Sequence, residues 1–475
     1  MLGKNYHSII RSILDYLPSR ALIILNSILI IPLLVGILDP KEISIYFIAI
    51  QILNLLCTCS FDGIGKAVLR FYEKYRINGI LDKFFSNILW MSIGAYGLIL
   101  ILYPLLHNYV CEKYTISNSV LILTLILVIP CGIRQVFYQI LRIKNLSNVY
   151  TLSIIFYQLI LIINILYFTR IIPKTDIVIG GMILSVILTD IYIIYNAAPK
   201  FKIEYKIDKN IMHEVLKYIL PLFVTNFGYW FILNFLKFEF QNMHQYLNTA
   251  ILGASWVIAN NFIQPLVTLF IFSTFPIIIK KFEHNSPVKN YFTNICQLYM
   301  FIFIPLISVF CAFPNEIRAL LLPDMYEKAA YLFPIFAVAT FSHEFLKLIN
   351  VKYHLNNKTY IETTLAILFV LFSFFGTTYM ATRESIIGAS LILLACEVGL
   401  VISNIVIRFK NLNYINYVKV IKTLCFMLII SIISYTIVTA FDVTTLSKIM
   451  CILKIVIFIT LNYIISIYYR KYLLS

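Results

Sequence analysis

The sequence predicts an all-α polytopic membrane protein of about 14 transmembrane helices, arranged as two six-helix lobes in parallel pseudo-repeat with two extra C-terminal helices. Three observations carry this. Of 475 residues, 61% are hydrophobic and only 13% charged, about half the charged share of an ordinary soluble domain. The mean hydropathy is +0.88, and apolar runs long enough to cross a bilayer follow one another along the whole chain. No loop between them is large enough to hold a soluble domain, which sets aside a soluble enzyme.

Apolar runs of spanning length fall at 15–37, 43–68, 84–107, 117–138, 148–169, 176–196, 212–236, 247–273, 290–312, 329–349, 360–380, 386–407, 417–439 and 446–468. The net charge of +16 would invite a nucleic-acid partner on a soluble protein. Here it reflects loops facing anionic lipid. With the N-terminus cytoplasmic, 28 Lys and Arg lie on the cytoplasmic side and 9 on the other, with Lys454 inside the last span, so both termini are expected in the cytoplasm.

The longest loop, 197–211, is charged and reads as a hinge. Leu216 to Pro221 (LKYILP) echoes Leu14 to Pro18 (LDYLP), with the prolines 203 positions apart. The expected organisation is an N-terminal lobe at 1–199, a cytoplasmic linker at 200–211, a C-terminal lobe at 212–410, and helices 13 and 14 in 411–475. Asn5 to Leu14 and Asn210 to Leu220 alternate apolar and charged residues at helical spacing. Each either lies flat at the interface before turning in at the proline or is the charged first turn of its span.

The nine cysteines fall almost entirely inside apolar runs, which excludes a disulfide framework, and Cys57-Thr58-Cys59 lacks metal-ligand spacing. The first apolar stretch lacks a cleavage site and is followed at once by another, so no cleavable signal peptide is expected. The seven histidines are scattered at span edges without paired spacing, and no metal site, cofactor or catalytic residue is expected. Gly63-Ile64-Gly65-Lys66 lacks the remainder of a phosphate loop, and close helix packing explains its glycines better.

A charge inside a span costs a few kcal/mol and needs a partner, a wet cavity or a reach to the headgroups. Asp15, Arg70, Arg134, Lys237 and Glu239 lie near expected span ends and can reach headgroups. Asp62 and Lys66 share a helical face, with Arg70 one turn on. If the first span faces an aqueous cleft, Arg20, Asn26, Gln51 and Lys66 form a cationic lining suited to phosphate oxygens. In the second half Asn226, Tyr229, Trp230, Asn234, Asn260, Asn261 and Gln264 supply amides and aromatic faces suited to sugar rings. The alternative for the amides is interhelical hydrogen bonding.

Several phrases together resemble a known family: Leu14 to Pro18; Asp39-Pro40-Lys41-Glu42-Ile43-Ser44-Ile45-Tyr46; Phe61-Asp62-Gly63-Ile64-Gly65-Lys66-Ala67-Val68-Leu69-Arg70-Phe71-Tyr72; Tyr218 to Pro221; and Leu320 to Ala330. They resemble the bacterial polysaccharide flippases, the Wzx-type O-antigen translocases of the multidrug/oligosaccharidyl-lipid/polysaccharide exporter superfamily. The resemblance implies a V-shaped, MATE-like pair of bundles in the bacterial inner membrane. Its substrate would be an undecaprenyl-diphosphate-linked oligosaccharide carried from the cytoplasmic to the periplasmic leaflet, alongside other polysaccharide assembly proteins. It also implies that Arg20, Lys66 and Arg70 hold the diphosphate. Rocking of two lobes would suffice, and Asp62, Asp190 and Glu397 are the expected sites for a coupling H+ or Na+. Two rivals remain: a drug or organic-cation antiporter of the same superfamily, which wants an acidic cavity, and a membrane glycan polymerase or ligase, which wants one large external loop.

Overall fold

A computed structural model of the chain describes residue 18 and residues 20–25, 28–144, 146–197, 204–205, 207–283, 288–355, 358–407, 414–440 and 448–473. Among these residues there are fourteen helices long and apolar enough to cross a membrane. They are α1 (Arg20–Ile37), α2 (Pro40–Ile77), α3 (Leu81–Tyr114), α4 (Asn118–Ile143), α5 (Ser147–Thr169), α6 (Thr175–Ala197) and α7 (Lys209–Asn242). The rest are α8 (Tyr246–Glu283), α9 (Val288–Ala312), α10 (Ala329–Leu355), α11 (Thr359–Thr382), α12 (Ile386–Val406), α13 (Tyr417–Ala440) and α14 (Lys448–Leu473). The chain is thus a multi-pass membrane protein, with every expected span present.

Helix starts follow from their caps. Asp39 accepts from the Glu42 N–H at 2.7 Å with Pro40 in the first turn, Ser117 accepts from Val120 N–H at 3.3 Å, and Asp208 caps Asn210 and Ile211. α6 begins differently. The Thr175 N–H and hydroxyl both donate to Glu42 Oε2 at 2.7 Å, so a carboxylate on α2 caps it. Gly79 turns the chain between α2 and α3 at φ +68°, a conformation that favours glycine.

Several helices outrun the expected spans. α2 continues to Ile77 because its last four turns are amphipathic rather than apolar. Ile64, Ala67, Val68, Phe71 and Tyr75 bury one face among Phe84, Phe85 and Ile88 of α3 and Ile211, Val215 and Ile219 of α7. α7 runs unbroken through Pro221, so the segment from Asn210 to Leu220 is the beginning of its span. Its counterpart, Asn5 to Leu14, lies outside the described residues.

Contacts divide the chain into two compact units. One comprises residues 33–250 and 366–374, with α2 to α7 at its centre. Here α6 packs on α4 and α5, and α2 on α4. Two five-residue π-helical turns interrupt it, Thr58–Asp62 in α2 and Ile165–Thr169 in α5. The other unit comprises residues 1–32, 251–365 and 375–475. Here α10 packs on α12 and α9 on α13, around Tyr299, Phe303, Phe341 and Phe345. The last two helices are tied to α9 by buried polar contacts: Gln297 donates to Thr423 Oγ1 (3.1 Å), Ser308 to Ser431 (2.9 Å), Ser431 to Asn462 Oδ1 (3.0 Å) and the Tyr463 hydroxyl to the Ile302 carbonyl (2.7 Å).

Candidate functional site

The candidate site is built on the seam between α2 and α7. In α2 the π turn Thr58–Asp62 inserts extra backbone just before Gly63, which shifts the face that the following residues present. Two glycines make the close approach possible. A Cβ on Gly63 would lie 2.7 Å from Ile219 Cγ2 of α7, and one on Gly132 of α4 would lie 2.6 Å from the Phe61 ring. The packing expected for Gly63 and Gly65 is what the structure contains, Gly65 lying against Gln135 and Gln139.

Along this seam the polar side chains form a ladder. Asp62 Oδ2 receives Asn226 Nδ2 at 3.0 Å and Lys66 Nζ at 2.7 Å. The Arg70 guanidinium stands over the Tyr218 ring at 4.5 Å. Lys74 forms an ion pair with Glu214 Oε1, and Glu214 Oε2 accepts from the Tyr75 hydroxyl at 2.6 Å. The α2 members 62, 66, 70 and 74 advance by four while the α7 members 226, 218 and 214 retreat by multiples of four. The two helices are therefore antiparallel along one pair of matched faces.

The structure brings together Asp62, Lys66, Arg70 and Asn226 from the expected set. Lys66 and Asp62 are respectively 41% and 33% exposed, so this cation is reachable although already paired. Such an i,i+4 pair is worth roughly 0.3–0.5 kcal/mol where water has access. Gln51 is buried on α2. Arg20, half-buried on α1, and Asn260, half-buried on α8 with its Nδ2 3.4 Å from Asn261 Oδ1, belong to the other unit. Asn26 lies outside the described residues.

Further along α7 are Tyr229, Trp230 and Asn234. Trp230 stacks with Phe227 and packs against Phe238, and its indole nitrogen is buried with no hydrogen-bond partner among the described residues. Asn234 is buried, donating to the Trp230 carbonyl and accepting from Lys237 Nζ, both at 2.9 Å. Its amide holds a lysine in place within its own helix.

Two of the charges expected to reach headgroups do not. Lys237 is fully buried. Arg134 turns into the bundle, with its guanidinium 4.7 Å from the Tyr157 ring and 3.6 Å from Cys131 Sγ. Each cation has a partner inside the protein: Lys237 the amide of Asn234 one turn back, Arg134 the Tyr157 ring of α5 and the Cys131 thiol one turn back. Arg134 is also the charge acting on Asp190, whose carboxylate oxygens are buried without a hydrogen-bond partner among the described residues.

In the other unit Glu397 of α12 is fully buried, with its Oε2 3.1 Å from His343 Nδ1 of α10. His343 sits in mid-helix rather than at a span edge. Sequence reasoning passed over it, and over Lys74, Glu214 and Tyr218. The available signals were three successive polar residues, Ser342-His343-Glu344, inside an apolar span, and the continuation of the 62, 66, 70 spacing past the hydropathic window.

No family model and no curated protein sequence matches this chain. Solved structures do. The lipid II flippase MurJ in an inward closed conformation aligns at TM-score 0.73 and 16% identity, covering 97% of this chain and 99% of that one. An inward-facing multidrug resistance MATE transporter of the MOP superfamily aligns at TM-score 0.62 and 13% identity, covering 81% and 93%. A MOP superfamily transporter from Pyrococcus furiosus, described as having a binding pocket of reverse polarity, aligns at TM-score 0.55 and 14% identity, covering 84% and 93%. At these identities the shared property is the fold, and this chain has the helical fold common to a lipid II flippase and to MATE transporters of the MOP superfamily.

Proposed function

We propose that this protein is a flippase rather than an enzyme. In this reading it carries an undecaprenyl-diphosphate-linked oligosaccharide, of the kind used for O-antigen or capsule, from the cytoplasmic to the periplasmic leaflet of a bacterial inner membrane. Alternating access drives the movement, coupled to H+ or Na+. The observation that carries this reading is coverage: the alignment with a lipid II flippase spans 97% of the chain, whereas the multidrug resistance MATE transporter and the Pyrococcus furiosus MOP superfamily transporter leave 16–19% of it unmatched.

The physical problem fits the fold. A diphosphate bearing a polar glycan does not cross about 30 Å of hydrocarbon unaided, while its lipid tail is at home in the bilayer. Lys66 and Arg70, with Lys74 one turn further, give α2 three cations on one stripe, and Arg20, in the other unit, is the further cation that the family resemblance assigns to the diphosphate. Asn226, Tyr229 and Trp230, with Gln51 a further amide on α2, are the groups of this unit suited to sugar hydroxyls and ring faces, and Asn260 is their counterpart in the other unit. Asp62 holds Lys66 until substrate arrives. Asp62, Asp190 and Glu397 are the carboxylates available for coupling. In this reading the halves 1–199 and 212–410, hinged at 200–211, are the moving parts, and both termini are cytoplasmic.

Reconstitution tests it. Vesicles holding the purified chain and a fluorescent lipid-linked oligosaccharide are expected to move the probe between leaflets, with Arg20→Ala and Lys66→Met losing most of that movement while still inserting. Efflux of a cationic dye with no movement of the lipid probe would instead assign an organic-cation antiporter.

A further inference from the structure

Among the described residues, the most completely buried ion pair is that of His343 on α10 with Glu397 on α12. The two helices pack directly on each other, and Nδ1 lies 3.1 Å from Oε2. The Glu397 side chain is 0% exposed and that of His343 10%. The second carboxylate oxygen, Oε1, is buried with no hydrogen-bond partner among the described residues.

We infer that His343 and Glu397 form a proton-binding site whose occupancy ties α10 to α12. Under the transport reading above, on which this part rests, it is the site of the coupling ion, and that ion is H+. An ionised carboxylate at this depth needs a compensating charge. A single proton held by the pair makes it neutral overall, whether drawn as imidazolium with carboxylate or as imidazole with carboxylic acid. Departure of that proton leaves one net negative charge in the packed interface. The site therefore stays loaded while buried, and it unloads when water reaches between the two helices and accepts the proton.

The surroundings agree. On α10, Glu344 is paired with Lys347 at 2.6 Å, so those two charges cancel. From α9 come Tyr299, whose hydroxyl donates to the Phe341 carbonyl at 3.0 Å, and Cys296. α12 adds Cys396. The short helix Pro314–Leu321, which packs on α10, carries Glu316 and Arg318, and Arg318 pairs with Asp324. Lys352 lies more than two turns beyond His343 and donates to the Asn404 carbonyl at 2.7 Å and the Tyr417 hydroxyl at 3.3 Å. Among the described residues, the group able to carry positive charge that pairs with Glu397 is the imidazole of His343. A sodium ion, as a hard cation, wants several oxygen ligands, and an imidazole nitrogen occupies one side of this site.

The test uses the full chain in lipid nanodiscs with 13C-labelled histidine and no substrate. Because the pair stays loaded while buried, infrared spectra at about pH 8 are expected to retain the imidazolium or carboxyl band of one water-shielded protonated group. Glu397→Gln and His343→Gln should each remove it. A wild-type spectrum without such a signal overturns the site even if a variant fails to fold, as does a signal that both variants retain. Loss of the signal on adding sodium at fixed pH also overturns it, in favour of a metal cation. If the signal behaves as expected but vesicles move no lipid-linked glycan, the site stands and the proposed substrate falls.

Discussion

Replacing Gly132 with alanine probes the base of the site. The added methyl would lie 2.6 Å from Phe61 Cγ and Cδ2 and 2.7 Å from Cδ1. Those atoms belong to a ring that is 3% exposed and anchored in the π turn, so it has little room to swing away. Overpacking of this kind costs about 1–3 kcal/mol. Alanine in mid-helix returns about 1 kcal/mol through propensity, so the expected net loss is roughly 0–2 kcal/mol. Gly180→Ala on α6 is the control, because no atom stands within 4 Å of its new methyl. The assay is the temperature at which detergent-purified protein loses its monodisperse chromatographic peak. Gly180→Ala should match or exceed wild type, Gly132→Ala should fall below Gly180→Ala, and adding Phe61→Leu to Gly132→Ala should recover much of the difference. Equal stability of the two alanine variants would refute the reasoning, because the Phe61 contact would then carry no constraint.

Two further outcomes follow from named contacts. Lys74→Glu and Glu214→Lys should each lower stability, and the double exchange should restore it, with a coupling of about 0.2–1 kcal/mol for a partly exposed pair; a double-mutant cycle giving no coupling would remove that rung. Glu42→Ala strands the Thr175 N–H, while the hydroxyl keeps the residue 42 carbonyl at 2.8 Å, and should cost about 1–3 kcal/mol in the same thermal assay, whereas Glu42→Gln retains an acceptor and should cost less.

The fourteen spans were legible because bilayer thickness fixes a length and hydropathy marks it. Lys66 and Asp62 were legible because four-residue spacing on one helix is local. The partner of Asp62 was not, since Asn226 is 164 residues away and only the packing of α7 on α2 brings it to 3.0 Å. Hydropathy also ends α2 too early, for the turns carrying Lys74 and Tyr75 are stabilised by one buried face rather than by apolar composition. Arg134 and Lys237 illustrate the converse: position near a span end says that a cation can reach water, but the direction of its side chain depends on which neighbours offer a closer contact. His343 was hidden for the same reason, because a lone histidine acquires meaning only from Glu397 on another helix.

The matched spacing on α2 and α7 leaves the polar rungs by themselves with more than one possible register. Displacement by one turn, about 5.4 Å, would set Lys66 against Asn226 and Lys74 against Tyr218, so a polar partner is found again. The same step moves Ile219 off Gly63 and onto Ala67, although a Cβ at the notch would already lie 2.7 Å from Ile219 Cγ2. The notch thus acts as an index mark: the polar rungs alone would accept more than one alignment of the two helices, and the glycine admits only one.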